Sequence, residues 1–189
     1  MQSYNAVKLA QFLLQPHLNK CRRAVDATAG NGGDSLFLAA NAPDNAVIYS
    51  FDIQEKAISK TRNLLIEHNV LSKVKLIEDN HENITNYIAD SIDIAMFNLG
   101  YLPGGDHNIT TQAASTATSV KKVLGLLSIG GFLTLIAYPG HESGQIEFDK
   151  VSNLFKSLPT RMFAVNSWVP INTAKKPPIL YVIEKVRSE

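Results

Sequence analysis

The stretch Ala24-Val25-Asp26-Ala27-Thr28-Ala29-Gly30-Asn31-Gly32-Gly33-Asp34-Ser35 decides how this chain folds. Its first half is small, strand-compatible and ends in a carboxylate; its second half is a glycine-rich turn that runs into a helix. Glycines let the backbone approach a ligand closely, and a helix that opens at once behind them offers free N–H groups. A Walker phosphate loop needs a lysine before Ser or Thr, and no lysine occurs here. A dinucleotide fingerprint needs a third glycine where Ser35 stands. Against the pattern D-x-G-x-G-x-G, only the first glycine is replaced, by Thr28. A purely structural strand-to-helix turn is the competing reading, because an isolated glycine motif is weakly specific.

Outward from that turn, short β-rich runs alternate with segments of helical period, which is the pattern of an α/β fold around a mostly parallel sheet. Strands are expected at 24–29, 46–52, 73–78, 92–98, 131–138, 161–168 and 179–184. Between the second and third, Ala57, Ile58, Thr61, Leu64, Leu65 and His68 recur at helical spacing, so one stripe of that helix faces the sheet. Val120, Val123, Leu124 and Leu127 form a second stripe, and Val151, Leu154, Phe155 and Leu158 a third. Only the proline-bearing stretch 169–178 separates the last two strands, so they are expected to pair antiparallel at one edge. Residues 1–189 read as a single domain, with 1–20 a helix that packs on the sheet or covers the site.

Hydrophobic residues make up 45% and charged residues 19%, which suits a buried core and excludes a disordered or fibrous chain. The balance of 18 basic against 17 acidic residues excludes a strongly basic nucleic-acid coat and leaves room for a local basic patch. The lone Cys21 excludes an intramolecular disulfide, no Cys/His spacing suits zinc, and no metal is expected. Residues 1–20 lack a basic start before an unbroken apolar run, and the apolar segment 124–138 is broken by Ser128, Gly130 and Gly131. Neither a signal peptide nor a membrane span is expected, and the chain reads as cytoplasmic.

Asp52 closes the second strand, where a carboxylate accepts both ribose hydroxyls of an adenosine ligand lying beyond the strand ends. Ile53 and Gln54 then lie along the adenine. Asp79, Asn80 and His81 follow the third strand; their polar tips either read the adenosine or cap a helix, and the sequence holds both open. Acidic groups after three successive strands suit an amino-acid end better than a pyrophosphate, which Asp26 and Asp34 would repel. The expected cofactor is therefore S-adenosylmethionine, held by Asp26, Gly30, Asn31, Gly32, Gly33, Asp34, Asp52, Ile53, Gln54, Asp79, Asn80 and His81.

After the fourth strand comes Asn98-Leu99-Gly100-Tyr101-Leu102-Pro103-Gly104-Gly105-Asp106-His107. It resembles the N-P-P-Y loop of methyltransferases acting on amino groups, with Asn98 and Tyr101 at matching positions and Leu99 and Gly100 in place of the prolines. In that loop the Asn oxygen holds the substrate N–H while the aromatic ring stacks on the base. The wider set adds D-A-T-A-G-N-G-G-D, F-D-I-Q, Asn80-His81-Glu82, Tyr138-Pro139-Gly140-His141-Glu142, and Pro177-Pro178 followed by Ile183-Glu184-Lys185. Together these resemble a family of small bacterial methyltransferases long labelled rRNA methylases and similar to the tRNA 5-(aminomethyl)-2-thiouridine methyltransferase. The resemblance runs over 24–185. It implies a class I methyltransferase (Rossmann-like) α/β fold, with a seven-stranded mostly parallel sheet, one antiparallel strand and helices on both faces. It also implies methylation of the aminomethyl group of 5-aminomethyl-2-thiouridine at the tRNA wobble position, with the anticodon stem-loop as partner.

An aminomethyl nitrogen is mostly protonated in neutral water and must lose a proton before attacking a sulfonium in line. Asn98 is expected to orient the neutral amine, Tyr101 to stack, and Asp106 or His107 to accept the proton. Leu102, Pro103, Gly104, Tyr138 and His141 are expected on the acceptor side. Trp168, Lys175 and Lys176 are candidates for stacking and phosphate contact. For His107 and His141 an exposed loop histidine is the equal alternative, and for the two lysines an ordinary solvated pair. Methylation of rRNA or another RNA base is the nearest competing function. An NAD-binding oxidoreductase, resting on the glycine turn and Asp52 alone, and a non-catalytic adenosylmethionine-binding module are the others. The sequence leaves oligomeric state open, a homodimer included.

Overall fold

The computed structural model describes residues 5–100, 112–173 and 176–188. In chain order the elements are α1 (Ala6–Leu18), β1 (Arg23–Asp26), α2 (Gly33–Asn41), β2 (Val47–Asp52), α3 (Glu55–Glu67), β3 (Val74–Glu78), β4 (Ile92–Asn98), α4 (Ala113–Leu126), β5 (Leu127–Ala137), α5 (Glu142–Lys156), β6 (Phe163–Trp168) and β7 (Ile179–Lys185). The connection from β3 to β4 carries a 3-10 turn at His81–Asn86.

The seven strands form one sheet in the order β3-β2-β1-β4-β5-β7-β6. β7 runs antiparallel to both β5 and β6, and the other strands share one direction. The chain builds outward from β1 to β3, then returns to place β4 on the other side of β1. At such a switch point the flanking connections diverge and leave a crevice beyond the C-terminal strand ends. The ends of β1, β2, β3, β4 and β5 therefore carry the candidate site.

Both sheet faces are covered, which is why the strands are nearly continuous in apolar residues. Ala6, Ala10, Leu14 and Leu18 of α1 join Leu38 of α2, Leu65 of α3 and the strand residues Ala24, Ile48, Ile94 and Ile136 in one core. Val120, Val123 and Leu124 of α4 join Val151 and Phe155 of α5 and the strand residues Val25, Ala95, Phe97 and Leu135 in the other. The spacing of four along α1 places its buried residues on one stripe, and Asn5 starts the helix by accepting from Lys8 N at 2.9 Å.

Two boundaries differ from the sequence reading. β1 ends at Asp26, not at 29, because the Asp26 side chain folds back to accept from Thr28 N at 3.1 Å and turns the chain out of the sheet. β5 begins at Leu127, not at 131, because the Ser128 hydroxyl donates to Ile92 O and to Asp93 Oδ1, tying the segment to β4. Leu127 thus leaves the α4 stripe yet remains buried. Among the described residues no helix is long and apolar enough to cross a membrane.

Candidate active site

The glycine turn is built by backbone geometry. Gly30 and Gly32 adopt φ of 56° and 88°, where L side chains are strained. A Cβ at Gly32 would also lie 3.0 Å from Thr61 Cα and 3.1 Å from Leu64 Cδ2, so only glycine lets α2 start this close to α3. No side chain caps α2 at Gly32, and the space over Gly33 is open. Asn31 is exposed on the turn, with its Oδ1 accepting from Lys60 Nζ at 3.2 Å.

Asp52 clasps the turn to the end of β2. Its Oδ2 accepts from Gly30 N and its Oδ1 from Gln54 N, both at 2.9 Å. Beside it Ile53 is 53% exposed, an apolar side chain facing solvent at the mouth of the crevice. An uncapped helix N-terminus, open space above the turn, a carboxylate at the second strand end and an exposed apolar face beside it form a donor set that fits S-adenosylmethionine. The turn would take its amino-acid end, Asp52 its ribose and Ile53 its adenine.

Asp26 and Asp34 differ from the sequence expectation. Asp26 is wholly enclosed; beyond its bond to Thr28 N, its Oδ2 accepts from Ser35 Oγ at 2.6 Å, and Ser35 in turn contacts Ser50 Oγ at 2.9 Å. It shapes the turn from below and presents no surface to a ligand. Asp34, in the first turn of α2, accepts from Gln11 Nε2 of α1 at 2.8 Å, so the N-terminal helix both packs on the sheet and reaches the site. Burial raises the proton affinity of both carboxyls, and the neighbouring charge of Asp34 adds to the effect on Asp26.

At the third strand end, the capping alternative describes Asn80: its Oδ1 accepts from Glu82 N at 3.0 Å and opens the 3-10 turn. Asp79 accepts from Asn83 Nδ2, Asn80 N and Tyr87 OH, and the bond from Asn83 leads in holding its carboxyl below the usual range. His81 is buried, its ring edge-on to Phe97 at 5.9 Å, and its Nδ1 has no hydrogen-bond partner. Burial pushes its pKa down to about 4, so the ring is neutral.

Asn98 ends β4 at the centre of the crevice. Its Oδ1 accepts from Tyr138 OH at 2.9 Å, and its backbone N–H donates to Thr28 Oγ1 at 2.8 Å. A carbonyl oxygen has two lone pairs, so Asn98 keeps one for an incoming N–H while Tyr138 fixes the amide. Thr28, the departure from the glycine pattern, is thus the acceptor that anchors the β4 end to the β1 turn. That substitution was itself the available signal; Gln11 carried none, since its partner lies 23 residues away on another element.

His141 does not face an acceptor. Its Nδ1 accepts from Gly144 N at 3.1 Å and caps α5. Trp168 is half-buried against the α1 core and so has limited surface for stacking. Lys176 donates to Gln145 Oε1 in the first turn of α5 at 2.7 Å, which brings the β6–β7 connection alongside the β5–α5 turn. Tyr101, Leu102, Pro103, Gly104, Asp106, His107 and Lys175 lie outside the described residues. Among the described residues no group of three or more His, Cys, Asp or Glu could hold a metal.

This architecture, with Asn98 beyond the switch point and a carboxylate beside a glycine turn, has close counterparts. Residues 48–184 match the family described as "Putative rRNA methylase". The chain belongs to that family and is a methyltransferase. A crystal structure titled as a putative rRNA methylase from Clostridium thermocellum is 38% identical, with a TM-score of 0.94 over 98% of this chain and 100% of that one. A putative methyltransferase from Streptococcus mutans, solved in complex with SAH, is 40% identical, with a TM-score of 0.88 over 96% of this chain and 98% of that one. A tRNA (mnm(5)s(2)U34)-methyltransferase, chloroplastic, from Arabidopsis thaliana is 29% identical over 191 residues, spanning 95% of this chain and 69% of the relative.

Proposed function

We propose that the protein uses S-adenosylmethionine to N-methylate the aminomethyl group of 5-aminomethyl-2-thiouridine at the wobble position of tRNA in the cytoplasm, giving 5-methylaminomethyl-2-thiouridine. The observation that carries this reading is Asn98, set beyond the switch point with its amide oriented by Tyr138. An amide oxygen with a spare lone pair suits an N–H acceptor group and has no task in hydride transfer to a nicotinamide. The Arabidopsis relative bears the name of this reaction, which supports the choice of acceptor.

The donor supplies an electrophilic methyl on a sulfonium when bound. The protein's own work is alignment: Asp52 and the glycine turn hold the donor, and Asn98 directs the acceptor nitrogen along the S–CH₃ axis. Tyr101 stacks on the base, and Leu102, Pro103 and Gly104 shape the pocket around it. Asp79, Asn80 and His81 wall the adenine side. Lys175 and Lys176 contact the phosphates of the anticodon stem-loop, with Trp168 at the edge of that surface.

Mass spectrometry of tRNA nucleosides from a deletion strain tests the substrate. Accumulation of the unmethylated aminomethyl nucleoside is expected. An unchanged tRNA profile with a methyl mark missing from rRNA would overturn it in favour of the family's older description. In vitro, Asn98→Ala should abolish most turnover with donor affinity nearly intact; a parallel loss of donor affinity would remove Asn98 from the acceptor side.

A further inference from the structure

Asp34 is 7% exposed, and among the described residues no lysine, arginine or histidine pairs with it. Gln11 of α1 donates to one of its oxygens, which sets the orientation of the carboxylate without neutralising it. From β1 it faces Asp26, a second buried carboxylate whose other neighbours are the Ser35 hydroxyl and the charge of Asp52 at the end of β2. From the end of β5 it acts on Tyr138, whose phenol is pushed up by burial first and by the charge of Asp34 second. Tyr138 donates to Asn98 Oδ1. Asp34 is therefore electrostatically linked to the pair that would orient the acceptor, while Asp26 has no exposed surface.

We infer that Asp34 is the group that takes the proton from the substrate ammonium. The inference rests on the aminomethyl acceptor proposed above. Two enclosed carboxylates without a cation are an unfavourable arrangement, and a cationic substrate relieves it on binding. The step is balanced. The R–NH₃⁺ group passes one proton to the Asp34 carboxylate, leaving a lone pair on nitrogen. That pair forms the N–CH₃ bond as the S–CH₃ bond breaks, and the bonding electrons stay on sulfur as a neutral thioether. The product is a secondary ammonium, and Asp34 returns its proton to solvent after release. Burial, which raises the proton affinity of Asp34, makes it a better base than a solvated aspartate. A buried carboxylate at this place also selects a cationic aminomethyl group over the neutral exocyclic amine of a base.

The decisive variant is Asp34→Asn, which keeps an oxygen for Gln11 while removing the base. Single-turnover methylation of tRNA bearing the aminomethyl nucleoside should fall by about 10²-fold or more at pH 7. The deficit should shrink as pH rises, because free amine then forms without help. Donor affinity, read by calorimetry on the same protein, should stay within about threefold. Asp34→Glu keeps a carboxylate and should return the wild-type shape of the pH profile at a lower rate. A parallel pH profile for Asp34→Asn and wild type would overturn the inference and move the proton to Asp106 or His107. A donor affinity weakened more than tenfold would overturn it too, and assign Asp34 to the cofactor. If wild-type protein leaves the aminomethyl nucleoside unmethylated, it is the functional reading that has failed.

Discussion

Replacing Thr28 by valine removes one hydroxyl and almost no volume, and it isolates the contact that joins the first and fourth strands at the site. Thr28 Oγ1 accepts from Asn98 N at 2.8 Å, a short and well-formed bond between residues 70 apart in sequence. Valine leaves that N–H without its acceptor. The full penalty for an orphaned buried donor is about 1–3 kcal/mol. Because Thr28 and Asn98 are only half-buried, water relieves part of it, and about 1–2 kcal/mol is expected. For a domain of this size that corresponds to a fall of roughly 2–8 °C in Tm. Asn98 should also lose its fixed height in the crevice, and a displacement near 1 Å costs about 10²-fold in rate. Thr28→Ser keeps the oxygen and should stay close to wild type on both counts. The measurements are urea unfolding, thermal melting and single-turnover methyl transfer on all three proteins. A valine variant as stable and as active as the serine one would show that the Thr28 hydroxyl does not position Asn98.

Asp52→Ala should weaken S-adenosylmethionine binding more than tenfold by calorimetry, since a hydrogen bond to a charged group is worth about 1.5–3 kcal/mol; unchanged affinity would take Asp52 out of the site. Gly144→Ala should destabilise by at least about 3 kcal/mol in urea unfolding, because its Cβ would overlap Tyr138 O and lie 2.8 Å from His141 Cε1, and a wild-type midpoint would contradict that packing. His81→Phe should flatten the acid sensitivity of stability. With the folded pKa lowered to about 4 from the model value of 6.5, the unfolded chain takes up a proton below 6.5 that the folded chain refuses. Wild type therefore loses stability from pH 6.5 towards 4, by up to about 1.4 kcal/mol per pH unit. The raised proton affinity of Asp26 works in the opposite direction over pH 7 to 3.8, but it is common to both proteins and cancels in the comparison. Equal pH slopes for the two proteins would place a proton on the buried ring.

The parts of this protein legible in its sequence are those governed by local periodicity and backbone geometry. Strand and helix spacing depends on neighbours a few residues away, so the seven strands, the apolar stripes of α3, α4 and α5, and the antiparallel final pair could be read directly. Asp52 and Asn98 were recognisable because a polar residue that closes an apolar strand faces the ligand edge of a parallel sheet. Contacts between distant segments were not legible. The sheet order sets Thr28 against Asn98, Asn98 against Tyr138 across 40 residues, and Gln11 against Asp34. The same order closed Asp26 behind Ser35 while leaving Asp34 at the wall of the site, although the two carboxylates flank one turn. It turned His141 to the end of α5 and His81 against Phe97. Whether a polar side chain caps, clasps or catalyses depends on which groups surround it, and those are brought together only when strands far apart in the chain pair side by side.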